Sequence, residues 1–229
     1  MLYRNHLAGP WIVALCKDFL LYMLFALIVL EVILVVSDCI CYYQRWKSKK
    51  RRLLILDLNN LLVCRAFKPK MIEEYSLYLP HIKDAKLLDD HYTWKRPNLS
   101  FFLWHIFIHY DVAVWSSAQQ KNVDKLCEYI FSADQRARLL FEWDQSHCTS
   151  VVPHPDPSEK KPLFEKQLRR VWKEFPQYDK DSTLIIDDSS LKMRSNPTEC
   201  VYIAEAWNAT MTEDNQLEWN GDIFKRLRL

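Results

Sequence analysis

The chain has 229 residues, enough for one medium-sized domain and a short appendage. Its formal net charge of +2 is small, so the overall charge does not favour nucleic-acid binding. We expect no nucleic-acid partner. The seven cysteines lack the paired CxxC spacing of a structural zinc site, which argues against that class of domain and favours reduced thiols in a cytosol-like or matrix-like compartment.

The first predicted element is an apolar helix. Residues 19–36 are almost wholly apolar, with Glu31 as the only charge, and they number about what a helix needs to cross a bilayer. A secretory signal peptide, whose apolar core is usually about 7–15 residues long, is one alternative. A buried helix of a soluble protein is the other. We predict a retained membrane anchor.

The flanking charges predict the orientation of this anchor. Six Lys or Arg residues crowd residues 45–52, whereas only Arg4 and Lys17 precede the apolar run. The positive-inside bias therefore places the remainder of the chain in the cytosol or the mitochondrial matrix. Binding of anionic lipid or nucleic acid is the alternative role of the basic residues.

Two features predict membrane-protein partners. A lone carboxylate such as Glu31 inside a bilayer costs on the order of 2.5 kcal/mol or more unless it is paired or protonated. Nine tryptophans also indicate extra surface that is buried against lipid or protein. We expect contact with neighbouring membrane subunits, with proton transfer or ligand binding as the alternative role of Glu31.

After the anchor, short apolar runs alternate with helical patterns. The predicted strands are residues 53–56, 111–115, 139–143 and 183–186, and the predicted helices are residues 101–109, 117–126 and 162–172. Strands separated by helices are typical of a parallel sheet covered on both faces. The sequence therefore predicts an α/β fold.

Oxygen-bearing side chains follow three of these strands. Asp57 follows the first, Ser116 the second, and Asp187 and Asp188 follow the strand at 183–186. Because the carboxyl ends of parallel strands meet at one edge of a sheet, these groups should form one site.

Further segments complete a recognisable pattern. These are Lys-Arg-Pro at 95–97, Trp-Ser-Ser-Ala at 115–118, Trp-Asp-Gln-Ser-His-Cys-Thr at 143–149 and Phe-Glu-Lys-Gln-Leu around Lys166. With Asp57 and Asp187-Asp188-Ser189, they resemble the signatures of the haloacid dehalogenase superfamily, in its branch of small C-terminal-domain (FCP/SCP-like) phosphatases. The resemblance covers about residues 53–207 and implies a Rossmann-like three-layer sandwich with a parallel central sheet.

The resemblance also implies a site. Asp57 would be the nucleophile that forms an aspartyl-phosphate, and Mg²⁺ would be the cofactor. The implied phosphate-binding residues are Ser116 and Lys166. The implied metal ligands are Asp57, the backbone carbonyl of Asn59 and Asp188, with Asp187 nearby.

The position two residues after the nucleophile departs from the family pattern. Asn59 stands where the family has its acid/base carboxylate, and Leu61 stands where it has a threonine. General acid–base catalysis contributes about 10²–10⁴-fold to rate, and a carboxamide has no useful pKa near neutrality. The two replacements favour a pseudophosphatase over an efficient enzyme.

Three functions are consistent with this sequence. The first is a membrane-anchored pseudophosphatase that serves as an accessory subunit of a larger membrane complex, with the mitochondrial inner membrane as the favoured location. The second is an active Mg²⁺-dependent protein or lipid phosphatase at the endoplasmic reticulum or nuclear envelope, and the third is a component of mitochondrial protein import. The predicted divisions are an anchor segment at 1–44, a basic linker at 45–52, the phosphatase-like domain at 53–215 and a tail at 216–229.

Overall fold

The computed structural model describes residues 23, 27–33, 36–37, 51–74, 76–152, 155–156, 158, 162–211 and 213–227. The chain forms two units, Met1–Lys50 and Arg51–Leu229. Most of the predicted anchor, and residues 45–50 of the basic linker, lie outside the described residues. Within the described part of the chain, no helix is both long and apolar enough to cross a bilayer.

The second unit contains both strands and helices. Its strands are β1 (Arg52–Leu56), β2 (Val63–Phe67), β3 (Lys86–Leu88), β4 (His91–Lys95), β5 (Tyr110–Trp115), β6 (Glu142–Trp143), β7 (Thr149–Val151), β8 (Leu163–Glu165), β9 (Thr183–Asp187) and β10 (Val201–Ile203). Its α-helices are α1 (Leu99–His109), α2 (Gln120–Ile130), α3 (Ala133–Ala137), α4 (Leu168–Glu174), α5 (Ser190–Met193) and α6 (Asp222–Leu227). Short 3-10 helices cover Lys68–Lys70, Ser76–Asp84, Gln145–His147 and Thr198–Cys200.

The centre of this unit is a five-stranded sheet in the order β10-β9-β1-β5-β6. Every strand pair in it is parallel. This confirms the predicted α/β fold and its central parallel sheet. β1 lies in the middle, so the residue that follows it is delivered to the centre of the carboxyl edge.

The side chains of β1 explain why it is central. Leu53, Leu54, Ile55 and Leu56 are all fully buried. Successive side chains of a strand point to opposite faces. Leu54 and Leu56 belong to a hydrophobic cluster with residues of α1, α2 and α6, and the other two belong to a second cluster with residues of α4. The sheet is therefore covered on both faces.

Two smaller sheets are additions to the predicted fold. β2, β4 and β3 form an antiparallel sheet, and β7 pairs with β8 in an antiparallel ladder. One helix was predicted over residues 162–172, and this prediction was wrong for the first residues of that range. Leu163–Glu165 is a strand because it pairs with β7, and α4 begins only at Leu168.

The C-terminal segment contributes to the same core. The sequence interpretation ended the domain at residue 215, but Leu217, Ile223 and Leu227 are buried in the cluster that contains α1 and α2. The hydroxyl of Tyr110 donates to the carbonyl oxygen of Leu227 at 2.7 Å. The folded unit therefore extends through α6.

Candidate active site

The carboxyl edge of the central sheet carries the predicted site residues. Asp57 follows β1, Asp187 ends β9 and is followed by Asp188, and Ser116 follows β5. Because β1 lies between β5 and β9, Asp57 is flanked on both sides by these groups. Such an edge is where ligands bind in open α/β sheets.

Asp57 and Lys166 form the buried floor of the site. Both are buried, and Lys166 Nζ lies 3.1 Å from Asp57 Oδ1. The same oxygen accepts the backbone N–H of Leu58 at 2.8 Å. Burial alone would raise the pKa of Asp57, but the charges of Lys166 and Lys192 outweigh it and lower that pKa to about 2. Asp57 is therefore an ionised carboxylate at neutral pH.

Asp187 shares this floor. Lys166 also donates to Asp187 Oδ2, and the backbone N–H of Ser189 donates to Asp187 Oδ1 at 2.9 Å. Burial, together with the neighbouring charge of Asp57, raises the pKa of Asp187 to about 6 despite the opposing charge of Lys166. The structure thus brings Lys166 into contact with two carboxylates at once.

Lys192 is a member of the site that the sequence interpretation missed. Its Nζ lies 3.1 Å from Asp57 Oδ2, 3.4 Å from Asp187 Oδ1 and 3.1 Å from Asp188 Oδ1. These carboxylates raise the pKa of Lys192 although burial opposes the shift. The sequence offered only its place four residues after Asp188, and helical spacing does not predict this contact because α5 begins at Ser190, after Asp188.

Ser116 lies at the same edge but outside this ion cluster. Its side chain is fully buried, and its hydroxyl accepts the backbone N–H of Ala118 at 3.2 Å. Its own N–H donates to Trp143 O at 2.8 Å. The geometry is that of a tight turn after β5.

The loop after Asp57 is tightly turned. Asn60 has a φ of 58°, in the left-handed region that asparagine tolerates, and its N–H donates to Val63 O at 2.7 Å. Asn59 Oδ1 is buried and lacks a hydrogen-bond partner among the described residues. Leu61 lies in the hydrophobic core. Asn60 also donates to Asp188 Oδ2 at 3.0 Å.

The donor set of the cluster suits a hard divalent cation. Asp57, Asp187 and Asp188 offer carboxylate oxygens that all lie within 4.8 Å of one another. Carboxylate oxygens are the protein ligands that Mg²⁺ prefers, and Mg²⁺ supplies charge stabilisation to phosphoryl transfer when bound. The chemistry of these three residues is therefore consistent with Mg²⁺ binding.

The fold and the site together define a class of protein. A central parallel sheet with an aspartate after its middle strand, a buried lysine beside it and a pair of aspartates after the adjacent strand is the arrangement of haloacid dehalogenase phosphatases. Residues 52–228 match the sequence profile of the NLI interacting factor-like phosphatases. The chain belongs to this family.

Individual relatives agree with this assignment. An FCP1 homology domain-containing protein of Schizosaccharomyces pombe is 27% identical over 166 residues, covering 69% of this chain and 62% of that protein. A CTD phosphatase-like protein of Invertebrate iridescent virus 6 is 26% identical over 154 residues, covering 66% of this chain and 83% of that protein. This chain thus spans less than two thirds of the length of the yeast relative.

A solved structure shows the same fold. The structure of Fcp1, an essential RNA polymerase II CTD phosphatase, superimposes with a TM-score of 0.52 at 16% identity, covering 81% of this chain and 50% of that one. This chain therefore matches half of the length of the Fcp1 chain. The similarity establishes the fold.

Proposed function

We propose that this chain is a pseudophosphatase, an FCP1-homology domain that keeps its phosphoryl site as a binding cradle and has lost efficient turnover. The observation that carries the proposal is the side chain at position 59. A neutral amide stands two residues after Asp57, and its buried Oδ1 is without a hydrogen-bond partner among the described residues. In the family pattern a carboxylate at this place moves the proton of the reaction.

The missing proton donor affects both halves of the reaction. Attack of Asp57 on phosphorus breaks the bond to the leaving alkoxide, which needs a proton. The second half needs a base that takes a proton from the attacking water. An amide can donate a hydrogen bond but cannot transfer a proton in either direction at neutral pH. Lys166 beside Asp57 still provides positive charge for phosphate oxygens.

The test restores the carboxylate. Asn59→Asp should raise hydrolysis of a phosphoserine peptide, whose leaving alkoxide needs a proton, by about 10²-fold or more over wild type, because it returns the proton-transfer group. The assay should cover a series of Mg²⁺ concentrations. Adding Asp57→Asn to Asn59→Asp should abolish the gain, which attributes the activity to this site.

The same assay separates an alternative function. Asp57, Lys166, Asp187 and Asp188 remain together in one cluster, which favours a residual Mg²⁺-dependent protein or lipid phosphatase, as at the endoplasmic reticulum or nuclear envelope. Vigorous wild-type turnover that disappears in Asp57→Asn would establish this alternative and contradict the pseudophosphatase.

The location and partners form part of the same proposal. The apolar run at residues 19–36 anchors the chain, and the basic residues at 45–52 keep the domain on the cytosolic or matrix side. Glu31 within the run supports contact with neighbouring membrane subunits. The proposed role is therefore that of an accessory subunit in a membrane complex, with the mitochondrial inner membrane favoured.

A further inference from the structure

The ammonium group of Lys192 is seated among the carboxylates that would hold a metal ion. It contacts one oxygen of each, at 3.1 Å from Asp57, 3.4 Å from Asp187 and 3.1 Å from Asp188. These are the three residues whose ligand atoms cluster within 4.8 Å. Lys192 and a divalent cation would therefore require the same oxygens.

The carboxylate oxygens of the cluster already have partners. Asp57 and Asp187 each direct one oxygen to Lys166 and the other to Lys192. Asp188 Oδ1 contacts Lys192, and its Oδ2 accepts the side-chain N–H of Asn60 at 3.0 Å. The two ammonium groups and the Asn60 amide thus contact all of the oxygens of the three carboxylates, which together exceed the ammonium groups by one negative charge.

The backbone holds Lys192 in this place. Its carbonyl oxygen accepts the backbone N–H of Lys166 at 3.0 Å, and the next residue, Met193, is buried. Its side chain is only 20% exposed. Lys192 also lies in α5, which begins two residues after Asp188. It is therefore a built part of the cluster, unlike a surface lysine that swings freely.

A divalent ion would compete with this ammonium group. Mg²⁺ binds oxygen ligands at about 2.0–2.1 Å in near-octahedral geometry. A Mg²⁺ ion bound to these carboxylates would share their oxygens with the ammonium group of Lys192, which lies only about 3 Å from the same oxygens. Like charges so close in a largely buried site repel strongly. Mg²⁺ at these carboxylates would therefore oppose the three contacts of Lys192.

We infer that Lys192 is an intramolecular cation that competes with divalent metal at the Asp57, Asp187 and Asp188 cluster and makes metal binding weak. This inference deepens the proposed function by adding a second impediment at the same site, which acts on metal binding and is independent of the proton transfer lost at Asn59. The inference about Lys192 and the proposal about Asn59 can fail separately, because metal binding tests the first and phosphatase turnover tests the second.

The experiment measures Mn²⁺ binding to the purified full chain in detergent. Electron paramagnetic resonance reports free Mn²⁺, and isothermal titration gives the dissociation constant. Lys192→Met keeps the length of the side chain but removes its charge, and it should bind Mn²⁺ about tenfold more tightly or better, the size expected for removal of one close charge competitor. Lys192→Arg keeps the charge and should bind as weakly as wild type.

A matched control accounts for net charge. Lys125 pairs with Asp89 on the exposed surface, so Lys125→Met loses the same charge away from the site and should leave Mn²⁺ affinity unchanged. Equal affinity of wild type and Lys192→Met would overturn the inference, as would an equal gain in Lys125→Met.

A measurement on the wild type alone keeps the inference falsifiable if Lys192→Met does not fold. The melting temperature of the wild type should be nearly unchanged by Mg²⁺ up to about 10 mM, because a ligand stabilises appreciably only when its concentration approaches or exceeds its dissociation constant. Clear stabilisation by Mg²⁺ below that concentration would overturn the inference. Lys192→Met, where folded, should gain stability on addition of Mg²⁺.

Discussion

Arg96 connects the loop after the candidate nucleophile to the C-terminal part of the domain. It is 2% exposed, and its Nε and Nη2 donate to the two oxygens of Asp214 at 2.8 and 2.6 Å. Its Nη1 donates to Leu61 O at 3.1 Å, and Nη2 also reaches Glu205 O at 3.3 Å. The planar guanidinium suits this pattern because its donors form a rigid fork.

Loss of Arg96 should strongly destabilise the fold. Arg96→Met leaves the carboxylate of Asp214 buried without its partner, which typically costs about 3–5 kcal/mol. Denaturant unfolding of the purified chain, followed by tryptophan fluorescence, measures the loss. The matched control is Lys125→Met, whose exposed, solvent-screened pair with Asp89 should contribute little to stability. Equal losses in the two variants would contradict a buried role for Arg96.

At the scale of elements, α6 is the part of the fold that lies beyond the predicted domain. Ile223 is fully buried and belongs to the main hydrophobic cluster. Phe224 packs edge-on against Phe102 of α1, with ring centroids 5.7 Å apart. Lys225 points outward and pairs with Asp222. The helix therefore covers one face of the sheet through its apolar residues.

Truncation of one of these side chains should show that α6 belongs to the folded unit. Ile223→Ala should destabilise the domain by about 2–5 kcal/mol, because it opens a cavity in the core. Lys225→Ala, on the exposed side of the same helix, should change stability by no more than about 0.5 kcal/mol. Denaturant unfolding compares the two. A loss below 1 kcal/mol for Ile223→Ala would mean that α6 is a loosely attached tail.

The predictable strands are those in which nearly every residue is buried, because such strands appear in the sequence as unbroken apolar runs. β1, β5 and β9 are short apolar runs because both faces of a central parallel strand are covered. β2 and β4 were missed because polar residues such as Arg65 and Thr93 interrupt their apolar pattern and because both strands pack on a small local cluster. At 162–172, Glu165 and Lys166 read as the polar face of a helix. Both are buried instead, Glu165 paired with Arg194 and Lys166 with aspartates.

The sequence predicted those members of the candidate site that lie at strand ends or in recognisable motifs, but it did not predict Lys192. Asp57 follows β1, Asp187 is the last residue of β9 and Asp188 follows it, so topology alone brings the three together. The contact of Lys192 with all three depends on the direction of α5 after β9 and on side-chain placement. A sequence pattern offers only the four-residue spacing from Asp188.

At the scale of the whole molecule, the hydrophobic clusters lie in the second unit. Among the described residues, their members fall between Leu53 and Leu227. Arg51 marks the start of this unit, since it donates to the carbonyl oxygens of Phe107 and Tyr110 and pairs with Asp111. A segment that begins at Arg51 therefore keeps every described member of these clusters and the contacts at its first residue.

The segment 51–229 should fold without residues 1–50. Its melting temperature should lie within about 4 °C of that of the full chain, which corresponds to about 1 kcal/mol for a domain of this size. A segment that begins at residue 53 loses the hydrogen bonds of Arg51 and should be less stable by about 1–3 kcal/mol.

Alkaline carbonate should release 51–229 from membranes but leave the full chain in the pellet, because a spanning helix resists extraction. Release of the full chain would contradict the proposed anchor, and aggregation of 51–229 would show that its core needs the first unit.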